Sequence, residues 1–102
     1  MTDLVCDREF LIPTEEGRRR VVVEWMRPVR DRGDWRCDWT IHWPGWDAER
    51  KYAFGVDSTQ ALLLAMAMVG AVLKDAEATW LDSRELGLPP IGGRNPSPEV
   101  AE

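Results

Sequence analysis

Apolar and polar residues alternate without a break from Trp35 to Trp43. Trp35, Cys37, Trp39, Ile41 and Trp43 are apolar, while Arg36, Asp38, Thr40 and His42 are polar. The four-residue spacing of the tryptophans imitates a helix. Strict period-two order in a segment rich in aromatic and β-branched side chains predicts a half-buried strand instead. Pro44-Gly45 ends it. A second strand, Arg20 to Arg27, sets Val21, Val23 and Trp25 on one face, and the link Pro28 to Asp34, with Gly33, reads as a hairpin loop. Keeping apolar faces together pairs Val21 with Ile41, Val23 with Trp39 and Trp25 with Cys37. Arg50 to Val56 is a third strand, with Tyr52, Phe54 and Val56 expected toward the core. Arg8 to Ile12 is a first strand, joined through Thr14-Glu15-Glu16-Gly17.

The pattern then changes period. Val56-Asp57-Ser58-Thr59-Gln60 opens onto thirteen residues, Ala61 to Leu73, that are all apolar or glycine. Asp57 is placed to cap the free amides of a first helical turn, and Gln60 to reach back as its third-position partner. Val56 and Ala61 resemble a hydrophobic staple. The helix is expected from Ser58 to about Ala78. A helix at the edge of a domain is usually apolar on one stripe only, so this one needs cover on two sides. Leu62, Met66, Val69 and Leu73 form one row, and Leu64, Met68 and Ala71 another. The second cover is expected from another copy of the chain, or from Trp80, Leu81, Leu86 and Leu88 folding back.

The predicted fold class is α+β: an antiparallel meander of about four strands packed on one long C-terminal helix. With 102 residues, 44% of them hydrophobic and six of them tryptophan, the chain is long enough for one cored domain. That domain is expected over 1–88. From Pro89 onward, prolines, glycines and polar residues predict a disordered tail over 89–102. The N-terminus lacks a basic region followed by an apolar run, so no secretory signal is read. The Ala61–Leu73 run is short of the roughly 20 residues that span a bilayer. These points predict a cytoplasmic protein with no membrane association and with Cys6 and Cys37 as free thiols.

The segments Asp34-Trp35-Arg36-Cys37, Ala53-Phe54-Gly55-Val56-Asp57-Ser58-Thr59-Gln60-Ala61-Leu62 and Leu86-Gly87-Leu88-Pro89 together resemble a family of small bacterial proteins known only as a domain of unknown function. The resemblance covers most of residues 8 to 89, and the middle segment is its most specific part. It implies a compact bacterial cytoplasmic domain. It implies no activity, no cofactor and no catalytic residue.

The residues themselves point to no reaction. Cys37 and His42 sit at odd and even positions of one strand, hence on opposite faces of a sheet, and cannot share a metal or a proton. In the expected register Glu24 stands opposite Asp38, a carboxylate pair of the kind used in acid–base chemistry. Neighbouring arginines offer the plainer account of that pair as neutralised surface charge. No catalytic residue, metal site or cofactor is expected, and the chain is not expected to be an enzyme.

Charge distribution is more telling. The net charge is −5, yet residues 17 to 36 carry seven arginines against Glu24, Asp31 and Asp34, a local excess of four positive charges. Arg18, Arg19, Arg20, Arg30 and Arg32 are therefore candidate partner-binding residues. Trp46, in the loop after the Trp35–Trp43 strand, is a sixth, since exposed Trp and Arg anchor many protein interfaces. The expected function is non-enzymatic protein binding, self-associating as a homodimer or neutralising a toxin in the manner of an immunity protein. The rival class is a nucleic-acid-binding regulator using the arginine-rich hairpin 18–36. The acidic whole disfavours it outside that ribbon.

Overall fold

A computed structural model describes residues 3–90. Five strands and one helix follow in chain order: β1 (Leu4–Thr14), β2 (Gly17–Met26), β3 (Val29–Asp31), β4 (Asp34–His42), β5 (Glu49–Gly55) and α1 (Ser58–Asp75). All pairings are antiparallel: β1 with β2, β2 with β4, β3 with β4, and β4 with β5. β2 pairs with the His42 end of β4 and β3 with its Asp34 end. They share one edge and form a single interrupted strand. The break falls at Arg27-Pro28, where proline removes a ladder donor. The fold is thus of the expected α+β class, an antiparallel sheet with one helix across it, but the Pro28–Asp34 link expected as a loop contains the short strand β3, because β2 resumes after Pro28 along the same edge of β4.

The register departs from expectation by two residues. Val23 faces Ile41 and Trp25 faces Trp39. A two-residue slip keeps every side chain on its face, so the apolar pattern alone does not distinguish the two registers. Glu24 consequently lies opposite Thr40 rather than Asp38. No Glu24–Asp38 pair forms. Glu24 meets His42 at 2.9 Å, and Asp38 meets Arg36 Nε at 3.0 Å.

Phe10, Ile12, Val21, Val23, Trp25, Cys37, Trp39 and Ile41 line the inner face of the sheet, all nearly inaccessible. A buried aromatic ring removes roughly 150–250 Å² from water. At about 25 cal/mol per Å² that is several kcal/mol for each of Trp25 and Trp39, before ordering entropy is subtracted.

β5 reverses the expected facing. Ala53 and Gly55 are buried, while Tyr52, Phe54 and Val56 are 54%, 46% and 75% exposed. The reason is the helix. A Cβ on Gly55 would stand 2.4 Å from the backbone nitrogen of Ala61, so only the small residues of β5 fit beneath α1. The large ones turn outward, where Tyr52 and Phe54 pack edge to face. The Val56 staple accordingly does not form.

The helix start is otherwise as expected. The Asp57 carboxylate accepts from the Gln60 N–H at 2.7 Å, and Gln60 Oε1 accepts from the Val56 N–H at 2.7 Å. The helix ends at Asp75, earlier than Ala78, because Glu77 adopts a left-handed conformation with φ of 60°. Glu77 N–H donates to Lys74 C=O and Ala78 N–H to Leu73 C=O, a Schellman closure.

Against the sheet α1 seats Ala61, Ala65, Val69 and Leu73, with Ala67 buried as well. Leu62, Leu64, Met66 and Val72 are partly buried at the core margin, and Leu63 and Met68 are about half exposed at 48% and 40%. The two expected rows are therefore seated only in part, because small alanines, not Leu62 and Met66, occupy the close contact. The second cover is the chain after the helix. Thr79 bridges to Leu11 on the free side of β1, Trp80 and Leu88 pack on the core, Leu86 is buried, and Leu88 lies against Gly70. Leu81 is the exception, 79% exposed at the tip of a turn. By length and composition α1 is long and apolar enough to cross a bilayer; here it packs as a core helix on the sheet. The tail expected over 89–102 falls, from residue 91 on, outside the described residues.

Candidate functional site

Two stretches distant in sequence meet at one end of the sheet. The first is the β1–β2 hairpin. Thr14-Glu15-Glu16-Gly17 turns the chain, with Gly17 at a φ of 98° that L side chains rarely adopt. The Thr14 hydroxyl donates to Gly17 C=O and accepts from the Glu16 N–H. This delivers Arg18, Arg19 and Arg20, all exposed, to the start of β2. The second is the loop after β4. Pro44 followed by Gly45 at a φ of 85° is the signature of a type II turn. It folds Trp46 back onto Trp43, the rings stacked with centroids 5.6 Å apart. Trp43 Nε1 donates to Glu49, and Trp46 remains 59% exposed.

Between the two stretches lies an open basin of about 480 Å³, lined by Leu11, Arg18, Arg19, Arg20, Val22 and Pro44. A smaller one of about 270 Å³ continues from Arg19 and Pro44 to Glu16 and Trp46. Arg18 and Arg20 alternate with Val21, so they project on the outer face of the sheet, beside Leu11 and Val22. Their native partners hold them lightly. Arg18 reaches across β1 to the Thr79 hydroxyl, Arg19 pairs with Glu16 at 2.6 Å, and Arg20 with Glu9 at 2.8 Å. Both ion pairs are largely exposed, and such pairs contribute about 0–1 kcal/mol. The Arg19 and Arg20 guanidinium groups are therefore free to exchange partners at little cost, while Arg18 is held to the buried Thr79.

Arg30 and Arg32 do not belong to this end. They sit at the opposite end of the sheet, where β3 turns into β4. Arg30 lies 5.4 Å from the Trp35 ring centroid, and Arg32 is at the turn tip with φ of 57°. A separate basin of about 380 Å³ there mixes Asp31, Asp34, Arg32 and Arg36 with Tyr52 and Phe54. Arg36 bridges Asp31 at 3.2 Å and Asp38 at 3.0 Å, which neutralises it. The hairpin's arginines are thus divided between two ends of the molecule, and at the Arg18–Arg20 end Arg19 and Arg20 meet Glu16 and Glu9 while Arg18 meets a hydroxyl.

Leu11, Val22 and Pro44 are lining residues that sequence reasoning did not single out. The signal for Pro44 was present but depended on register. Two residues of slip separate a sheet in which β2 is paired along its length from one in which Pro44 stands across from Arg20. Cys37 and His42 point to opposite faces, as their positions imply. Burial pushes the Cys37 thiol up to about 11, helped by the neighbouring Asp38 and Cys6. Such a thiol is inert at neutral pH.

These features define an α+β domain in which one helix and a folded-back segment cover a single antiparallel sheet, leaving an arginine-rich, tryptophan-flanked end open. Residues 6–90 match the sequence model of a family described as a domain of unknown function, DUF6968, and the chain belongs to that family. No curated protein and no solved structure matches it.

Proposed function

We propose that this domain is a non-enzymatic, cytoplasmic protein-interaction module, and that it takes an acidic partner at the Arg18–Arg19–Arg20 and Pro44–Trp46 end. The observation that carries this reading is the pair of basins at this end. They adjoin through Arg19 and Pro44, one lined by the three arginines and the other by the exposed Trp46, from segments more than twenty residues apart in sequence. Arginine and tryptophan supply most of the energy in many protein interfaces, through forked hydrogen bonds and a large ring. The remainder of the chain is acidic, which favours a partner with local rather than overall negative charge and repels a polyanion along its length.

The test is capture from native lysate with nuclease present, using the wild type and the Arg18→Ala, Arg19→Ala, Arg20→Ala triple variant as baits. A protein retained by the wild type and lost by the triple variant is the expected result. Capture that disappears with nuclease, or submicromolar binding to DNA near physiological salt that the triple variant abolishes, replaces this reading with the nucleic-acid one. Capture unchanged by the triple variant places the interface elsewhere.

A further inference from the structure

The backbone at this end carries more information than its charge. Leu11 N–H donates to Thr79 C=O at 3.0 Å, and Thr79 N–H donates to Leu11 C=O at 2.8 Å. Leu11 thus commits both its backbone groups to the side of β1 away from β2. Backbone groups in an antiparallel ladder alternate in direction along the strand. The β1–β2 ladder therefore runs through the pairs Phe10–Val21 and Ile12–Arg19. It follows that Arg18, Arg20 and Val22 turn their N–H and C=O groups to the other edge of β2. Val22 meets His42 of β4 there, the last pair in that direction. Continuing the register would set Pro44 opposite Arg20, and proline has no N–H to give. The chain turns away at Pro44-Gly45. Among the described residues, no strand pairs with β2 between Gly17 and Val21 on this side.

Resting on the reading above, we infer that an extended acidic segment of a partner protein adds as a strand to the free edge of β2 at Arg18–Arg20, in line with β4, between the hairpin and Pro44. The basin lies over the outer face of the sheet beside this edge, where outward side chains of such a strand would rest. A strand seated there meets the backbone donors and acceptors of Arg18 and Arg20. Its alternate side chains fall beside the stems of Arg18 and Arg20 on the outer face, whose guanidinium groups turn from Thr79 and Glu9 over β1 to meet them, and beside Arg19 on the other. Both faces of the added strand therefore see arginine, which selects carboxylates on both. This is strand addition, in which main-chain bonds supply affinity and flanking side chains supply selectivity. An exposed edge is commonly blunted by charge. Here three arginines blunt the edge, two of them in exposed pairs with Glu16 and Glu9, so a strand whose carboxylates take over those pairs is favoured above a basic one and above a second copy presenting its own Arg18–Arg20 edge.

The test uses the full chain and the labelled peptide Ac-Thr-Glu-Glu-Val-Glu-Glu-Thr-amide, which sets carboxylates on both faces of an extended strand, its lysine counterpart, and two forms N-methylated at alternate amides. Binding is followed by fluorescence anisotropy, and amide exchange at Arg18 and Arg20 by NMR. The expected result is binding of the glutamate peptide and not the lysine peptide. One N-methylated form should lose at least about tenfold in affinity and the other little, because only one set of amides faces β2. The Arg18 and Arg20 amides should exchange fast in the free protein and slow on binding. Glutamate-peptide binding that is equally sensitive to both methylation patterns overturns strand addition while leaving an acidic-partner site standing. Absence of glutamate-peptide binding, or tighter binding to single-stranded DNA, overturns both. Slow exchange of these amides in the free protein together with a doubled mass gives the edge to a second copy and overturns the inference.

Discussion

The guanidinium carbon of Arg8 lies 3.8 Å from the centroid of the Trp80 ring. The same side chain donates from Nη1 to Leu86 C=O at 2.8 Å. Strand β1 thus grips the folded-back segment from both sides of its turn. Gly87 completes the arrangement, since its φ is 68° and a Cβ there would stand 2.7 Å from Trp80 Cζ3. Gly87→Ala is expected to cost about 1–3 kcal/mol through strain at a left-handed position and crowding of the ring. Urea denaturation followed by tryptophan fluorescence measures it. Arg8→Lys should be costly too, because an ammonium neither stacks nor forks as a guanidinium does. A midpoint unchanged in both variants would show that the fold-back is held by other contacts.

Gly55→Ala is the harsher test of helix seating. Its new methyl group would meet backbone atoms of Gln60 and Ala61 rather than a flexible side-chain end. Overpacking of this kind typically costs about 1–3 kcal/mol and more where backbone must move. The variant is expected to unfold at markedly lower temperature by circular dichroism. Val56→Ala, at an exposed neighbouring position, should leave the transition nearly in place.

Glu77→Gly should do the opposite and stabilise the domain. Glu77 closes the helix in a left-handed conformation that costs an L side chain energy and glycine almost none. A gain of about 0.5–1 kcal/mol is expected, read as a higher urea midpoint with an unchanged slope.

Cys37 predicts a pH dependence with a definite sign. Its thiol titrates near 9.0 when unperturbed and is raised to about 11 in the fold, chiefly by burial. Between those values the unfolded chain loses the proton while the folded one keeps it. Linkage then lowers stability as pH rises through that window, with the full contribution present below it. Cys37→Ala should flatten the slope between pH 9 and 11, whatever its packing cost. Alkylation near neutral pH should modify the partly exposed Cys6 in preference to the buried Cys37.

β1, β2, β4, β5 and the helix start were legible because each rests on local chemistry, whereas the three residues of β3 lie in a segment whose proline and glycine read as a loop. Alternation from Trp35 to Trp43 has one reading, and Asp57 with Gln60 cap the helix through bonds that span three or four residues. What escaped was set at a distance. Nothing near Tyr52, Phe54 and Val56 announces that Gly55 must lie under Ala61, and the largest side chains claimed the core by hydrophobicity alone. The two-residue register slip is invisible to an apolar pattern of period two. Arg18, Arg19, Arg20 and Trp46 were legible as residue types. Their meeting was not, since it depends on that register and on the turn at Pro44. Arg30 and Arg32 shared the hairpin in sequence yet lie at the far end of β4 in space.

If a partner strand adds at Arg18–Arg20, Pro44 sets sheet stability against partner access at one position. Any residue with an amide hydrogen there would let β4 grow toward Arg20 and close the edge from within. Such a change would strengthen the sheet, and the chain would then compete with its own partner for the same backbone groups. Screens for thermal stability would tend to recover substitutions at Pro44, and screens for partner capture would tend to discard them. On the strand-addition reading, the edge stays open for want of one hydrogen that the chain does not have.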